Sequence, residues 1–192
     1  MDGQNYLTSI RAQFQYYKHL AEKALEQVPD ESLNWTPTAE SNSLTVIVNH
    51  LTGNMLSRFT DFLTSDGEKP WRDREKEFES TDCSRQQLFS HWDKGWSALF
   101  HSLDALSPDD LSTLVYIRHQ GHTVSEALNR QLAHYSYHVG QMIFLSRMIA
   151  GDQWRSLSIS RGQSATYNQE KFKHVPHREH FTEEILKSAT TK

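Results

Sequence analysis

His134 and His138 stand four residues apart in the segment AHYSYHVGQ. On a helix that spacing brings two imidazoles out one turn apart on the same face. So placed, they can close on a single divalent cation at Zn–N distances of about 2.0–2.1 Å. Their face continues through Val124, Leu128, Gln131, Met142 and Leu145. It therefore turns toward an apolar interior, where an imidazole without a partner is costly. The plainer role for each ring is a hydrogen bond to a carbonyl or a core tyrosine, and isolated pairs of this kind recur without metal. A third histidine on another helix would separate the two cases. Of the eleven histidines, His50 in VIVNHLTGN lies beside the stripe of Ile47 and Leu51. His101 falls off the line of Trp92, Trp96 and Leu99, and His19 and His91 read as solvent-facing. His50 is the best third ligand, which makes His50, His134 and His138 the expected holders of one divalent metal ion.

Three protein ligands leave a coordination position open, as catalytic sites do, whereas structural zinc sites are closed by four ligands that often include cysteine. The open position takes water, whose pKa the ion lowers, or a thiolate or oxygen of a substrate. Asn54, a turn after His50, and Gln131 and Gln141, near the pair, are candidates for fixing the imidazole tautomers. They read equally well as ordinary polar residues of a helix. Zn, Ni or Fe is expected, since imidazole suits all of them and affinity order alone does not choose. Glu126, two turns upstream of the pair, is the nearest helical acid and a weak fit to the general base of a metal-dependent hydrolase. A second cluster, His174, His177 and His180 in KHVPHREH, is split by Pro176. No regular geometry gathers it, and an exposed His-rich stretch is expected there. Cys83 is the lone cysteine, so no intrachain disulfide forms, and an inert thiol is the expectation.

The elements that position these residues follow from periodicity. Residues 4–28 carry Tyr6, Ile10, Phe14, Tyr17, Ala21, Leu25 and Val28 at helical steps until Pro29 and Asp30 stop them. The turn-rich ESLNWTPTAESNS reads as a loop. A second helix starts after Ser43 and runs to about Leu63. Residues 64–83, broken by Gly67 and Pro70, read as a long surface connection of the sort that is often functional. The third helix runs from Ser84, with Gln87 completing a capping box, to Leu106. Its Trp92 and Trp96 are core packing. Residues 111–122 contain the β-prone Leu114–Ile117 and fit either a short hairpin or an irregular crossover. The fourth helix runs from Thr123 to Ala150 with Gly151 as its cap. Four helices of about 20–28 residues with stripes of bundle width predict an all-α four-helix bundle over residues 1–150. Residues 151–192 form a C-terminal tail too polar for a core of its own, expected to pack on the bundle or on a partner subunit. Within it, an extended piece is expected near Leu157 and Ile159, and a helical turn or two over Thr182–Lys187.

With 36% apolar, 23% charged and 11% aromatic residues in 192 positions, the composition is that of a folded domain. The net charge of −4 arises from mixed signs without blocks. No basic stripe is present for phosphate neutralisation, so nucleic acid is not an expected partner. No apolar run approaches the ~18 residues needed to cross a bilayer, and the N-terminal residues lack a secretory pattern. A soluble cytoplasmic protein without membrane partners is the expectation.

Asn49–His50–Leu51, followed far downstream by H-x-x-x-H-x-G-Q at His134 through Gln141, resembles the DinB superfamily. The W-x-P loop at Trp35 and Pro37 and the order of elements agree, over residues 4–168. The ending LSISRGQSATYN is similar to a bacterial subgroup with a Ser/Gly-rich C-terminal tail. The resemblance implies an up-down-down-up four-helix bundle, metal ligation by His50, His134 and His138, and a homodimer. Some members are metal-dependent thiol transferases using bacillithiol, mycothiol or glutathione, or a mycothiol-dependent maleylpyruvate isomerase, and many carry no assigned activity. The leading expectation is a metal-dependent transferase that holds a low-molecular-weight thiol as thiolate and presents it to an electrophile. The alternatives are a non-catalytic metal-bearing stress-response or binding module, with a shallow or tail-plugged pocket, and a metal-dependent hydrolase.

Overall fold

Capping side chains set where the long helices begin. Helix α1 (Gly3–Leu25) starts at Asp2, whose carboxylate accepts from Asn5 N, and α2 (Leu44–Phe59) starts at Ser43, whose hydroxyl accepts from Val46 N. Capping boxes open α3 (Arg85–Asp104), with Ser84 and Gln87, and α4 (Val124–Ala150), with Thr123 and Glu126. Each such oxygen satisfies an N–H that the first turn of a helix leaves unpaired. Gly151, at φ 51°, ends α4 in a conformation that glycine adopts without strain. The computed structural model describes residues 2–190, with side chains through Lys187, and it is mostly helical.

The apolar stripes meet in one core. Ile10, Phe14 and Leu25 from α1, Ile47, Leu51 and Met55 from α2, Trp92 and Trp96 from α3, and Leu128, Tyr135 and Met142 from α4 all belong to it. Burial of each large apolar side chain stabilises the fold by about 1.5–3 kcal/mol. Tyr6 at the start of α1 donates to Asn129 Oδ1 (2.9 Å) in the second turn of α4, while Gln27 beyond α1 bonds Arg155 O beyond α4, so these helices run parallel. Arg85 at the start of α3 donates to Leu25 O (2.9 Å) at the end of α1, so α1 and α3 are antiparallel. Gly95 of α3 lies against α2, where a Cβ would stand 3.0 Å from Thr52 Cα, and Ser102 reaches Phe59 O near the far ends of both helices. Those two therefore run parallel. Helix α2 buries 13 of its 16 residues, since α3, α4 and the segment after it cover it on three sides.

Three expectations are corrected. Helix α2 is 16 residues long and ends at Phe59, not near Leu63. Thr60 turns extended and Asp61 takes φ 49°, while Phe62 still reaches the core by packing on Phe59 at 5.3 Å. Secondly, residues 64–83 are more than a surface connection. Gly67 N donates to Tyr116 O (2.7 Å), Ser57 Oγ donates to Gly67 O (2.7 Å), and Lys69 and Glu77 are buried, the latter in a 3-10 turn over Glu75–Phe78. Thirdly, His19 and His91 are half-buried rather than solvent-facing.

The open choice over residues 111–122 resolves to a hairpin, β1 (Leu114–Ile117) paired antiparallel with β2 (Gln120–Thr123), Ile117 opposite Gln120. Its two turn residues, Arg118 and His119, have φ of 54° and 61°. That turn matches strand twist, but positive φ is uncommon for residues with a Cβ. Asp66 offsets the cost: its carboxylate accepts from the N–H of both, each at 2.8 Å. In the tail, residues 157–159 form a bend rather than a strand, and a short helix α5 (Ser164–Lys171) follows that periodicity did not foretell. Helix α6 (Glu183–Thr190) extends the turn expected there and packs along α1. Phe181 meets Tyr16 at 5.5 Å and His180 bonds Ser9 at 3.0 Å. Among the described residues, no helix is long and apolar enough to cross a membrane.

Candidate metal centre

Helix α2 carries His50, and α4 carries His134 and His138 one turn apart. One nitrogen from each lies within 4.8 Å of the others. The ring centroids form a near-equilateral triangle of 5.3, 4.9 and 4.8 Å. His50 Nε2 and His134 Nε2 are 3.3 Å apart. Two nitrogens bound tetrahedrally to one ion at about 2.05 Å stand about 3.3 Å apart, so the spacing fits a shared cation.

The outward nitrogens of His50 and His138 are held by oxygens that can only accept. His50 Nδ1 lies 3.0 Å from Glu77 Oε2, and His138 Nδ1 lies 2.9 Å from Gln141 Oε1. With the proton placed on each Nδ1, both Nε2 lone pairs turn inward, the tautomer a metal requires. Glu77 is in turn gripped by Arg72, whose Nε donates to Oε1 (2.7 Å) and whose second nitrogen donates to Oε2 (2.9 Å). The carboxylate rests on Gly53, where any Cβ would clash with it. Phe78, 4.9 Å from His50, and Tyr137, 4.9 Å from His138, wall the rings.

The electrostatics agree with ligation. Burial pushes the His134 pKa down to about 3, helped by His138, His50, Arg58 and Arg72. Burial and His50 also lower His138, against an opposing bond to Gln141. Both rings are therefore neutral at pH 7, as ligation demands. Burial works to raise the Glu77 carboxyl, but the bonds from His50 and Arg72 outweigh it and hold the pKa below the usual range. Two neutral rings on α4, with an ionised carboxylate behind the third imidazole, suit a divalent cation.

The structure gathers His50, His134 and His138 and puts Gln141 on His138. Asn54 does not touch an imidazole: its Oδ1 accepts from Tyr135 Oη at 3.0 Å. Gln131 is buried with its Oε1 unpartnered among the described residues. Glu126 is spent in the cap of α4, its Oε2 accepting from Thr123 N (2.7 Å) and Oγ1 (2.9 Å). The tail histidines do not converge: His180 bonds Ser9 and Thr182, His177 bonds Val175 O, and His174 is exposed. Cys83 is a free thiol whose pKa burial and Asp82 push up, which disfavours the reactive thiolate. Glu77 and Arg72 were missed. The available signal was Gly53, a glycine inside a helical pattern three residues after His50, which often marks a close approach.

A cavity of about 510 Å³ opens over the triad. Arg58, Arg72, Arg74, Arg118 and Arg130 line it together with the three histidines, and none of its twelve lining residues is acidic. A larger cavity, about 750 Å³, lies between α1 and the tail and, among the described residues, contains no converging ligand set.

Sequence comparison adds a family. The family described as "Protein of unknown function (DUF1572)" matches residues 2–163, a span that holds all three histidines and Glu77 and ends before α5. No curated protein and no solved structure matches the chain. By the extent of that match, the chain belongs to the family described as "Protein of unknown function (DUF1572)".

Proposed function

We propose that this protein is a DinB-like metal-dependent transferase that binds one divalent ion, Zn, Ni or Fe, through His50, His134 and His138 and acts on a low-molecular-weight thiol. The observation that carries the metal site is the inward convergence of the imidazoles, with the Nδ1 groups of His50 and His138 held by Glu77 and Gln141. When bound, the ion supplies an open position at which a thiol is deprotonated at neutral pH. The chain's residues hold the imidazoles, wall them with Phe78 and Tyr137, and leave the cavity for an electrophile. Transfer forms a carbon–sulfur bond as the leaving group departs with its electron pair, and the thiol proton passes to solvent.

Two observations favour this reading over the alternatives. A metal-dependent hydrolase is helped by a general base at the reacting position, for which a carboxylate is one of the common choices. No acidic residue lines the cavity, Glu126 is bound in a cap, and Glu77 is shared between His50 and Arg72. A non-catalytic module would have a shallow or tail-plugged pocket, whereas no described residue beyond His138 lines this cavity. The parallel pairs α1 with α4 and α2 with α3, and the antiparallel α1 and α3, support an up-down-down-up four-helix bundle. A homodimer is supported by an exposed apolar stripe on α4, formed by Tyr137, Phe144 and Met148. The test is conjugation of bacillithiol, mycothiol and glutathione to a generic electrophile by protein loaded with zinc, nickel or ferrous iron. Turnover that depends on metal is expected, and none with any thiol and metal would remove the transferase.

A further inference from the structure

The cavity over the triad takes five of the chain's eleven arginines and none of its nine lysines. That is against the overall balance of a chain carrying −4. The choice of residue matters, because a guanidinium is a planar fork matched to carboxylate and phosphate, which an ammonium is not. The five come from four separate places: Arg58 from α2, Arg72 and Arg74 from the segment after it, Arg118 from the hairpin turn, and Arg130 from α4. Nothing in local helix or strand formation requires them to face one space.

They divide into floor and rim. Arg58 and the side chain of Arg72 are buried and already matched: Arg58 by Glu68 at 3.2 Å, Arg72 by Glu77. Arg74, Arg118 and Arg130 are exposed at the mouth. Arg118 shares Glu68, already occupied by Arg58 and close to Arg72 (3.6 Å). Arg74 lies over the Phe78 ring at 4.8 Å and 3.3 Å from the largely exposed Glu75. Among the described residues, Arg130 bonds only the ring of His122. The mouth thus carries more guanidinium than carboxylate. Arg118 is held there by a strained turn that Asp66 clamps. Beneath it, Gln131, 4% exposed, has a carbonyl oxygen with no partner among the described residues. A buried polar atom of that kind calls for a ligand or water.

We propose that Arg74, Arg118 and Arg130 bind the carboxylate or phosphate group of a small anionic substrate whose reacting end reaches the triad. The inference rests on the metal reading above and narrows it: the thiol or its acceptor is an oxyanion. A space of about 510 Å³ suits a small molecule. It does not suit a nucleic-acid backbone, which wants a continuous basic surface.

The test is calorimetric titration of inorganic phosphate and of succinate into zinc-loaded and chelator-treated protein, wild type and an Arg74→Ala, Arg130→Ala double variant. Both positions are exposed, so the fold should persist, and bound zinc reports on it independently. Wild type should bind at least one probe, more weakly as salt rises. The double variant should bind it about tenfold more weakly or worse, with zinc content unchanged. Phosphate preferred over succinate assigns a phosphorylated substrate, and the reverse a carboxylic one. Zinc bound with neither anion bound, or equal affinity in the variant, overturns the inference and leaves the metal site standing. Arginine-dependent anion binding without zinc uptake overturns the metal reading instead.

Discussion

Glu77 reaches His50 across the bare backbone of Gly53, its Oε2 3.0 Å from Nδ1. The contact joins a 3-10 turn in an irregular segment to a ring on a buried helix. It works only because no Cβ stands between them.

Gly53→Ala therefore separates structure from site. Alanine is favoured over glycine in a helix interior by about 0.5–1 kcal/mol, so α2 should not suffer from it. The added Cβ would stand 2.7 Å from the Glu77 carboxyl carbon, and the carboxylate must move off His50. A loss of about 10–100-fold in metal affinity is expected, read by competition with a chromophoric chelator, with helical content retained. Unchanged affinity would show that the Glu77 bond does not orient the ligand.

The triad was legible because its signal is periodic. His134 and His138 lie one turn apart on a face otherwise apolar, and His50 lies on the inner edge of a second strong stripe. Glu77 and Arg72 were not legible, since a charged, aperiodic segment after α2 reads as solvated. Burial of Glu77 is set by contact with α2, which no local pattern records. The arginine mouth escaped for the same reason: residues 58, 72, 74, 118 and 130 form no run, and only the fold assembles them. The length of α2 was overestimated because Phe62 continues the apolar pattern through a turn that still delivers it to the core.

The hairpin tip should be sensitive to acid. Burial alone would raise the Asp66 pKa, but bonds from the N–H groups of Glu68, His119 and Arg118 overcome it and bring the value down to about 2 from 3.8. A depressed carboxylate contributes stability above its unfolded value and loses it as pH falls through the folded one. Amide exchange at Arg118 and His119 should therefore accelerate, relative to α3, as pH drops from 3.8 toward 2. Asp66→Asn should show the faster exchange already at neutral pH. Protection equal to wild type in that variant would remove Asp66 as the clamp of Arg118.

The outer face of α4 should carry the subunit contact. Phe144 is 65% exposed and Met148 47%, positions where a charge costs nothing in a monomer. Phe144→Asp is expected to convert a dimer to a folded monomer in sedimentation equilibrium, with the thermal transition shifted only through lost association. A wild-type protein that sediments as a monomer, or a variant that remains dimeric, would contradict the assignment of this face.

Metal content is the most direct test of the triad. Elemental analysis of purified wild type and of His134→Ala should give about one divalent ion per chain in the first, as three imidazoles on one ion require. In the second it should fall to a small fraction, with the helical fold kept. Stoichiometric metal retained in His134→Ala, or none taken up by wild type from zinc, nickel or ferrous iron, would contradict the account.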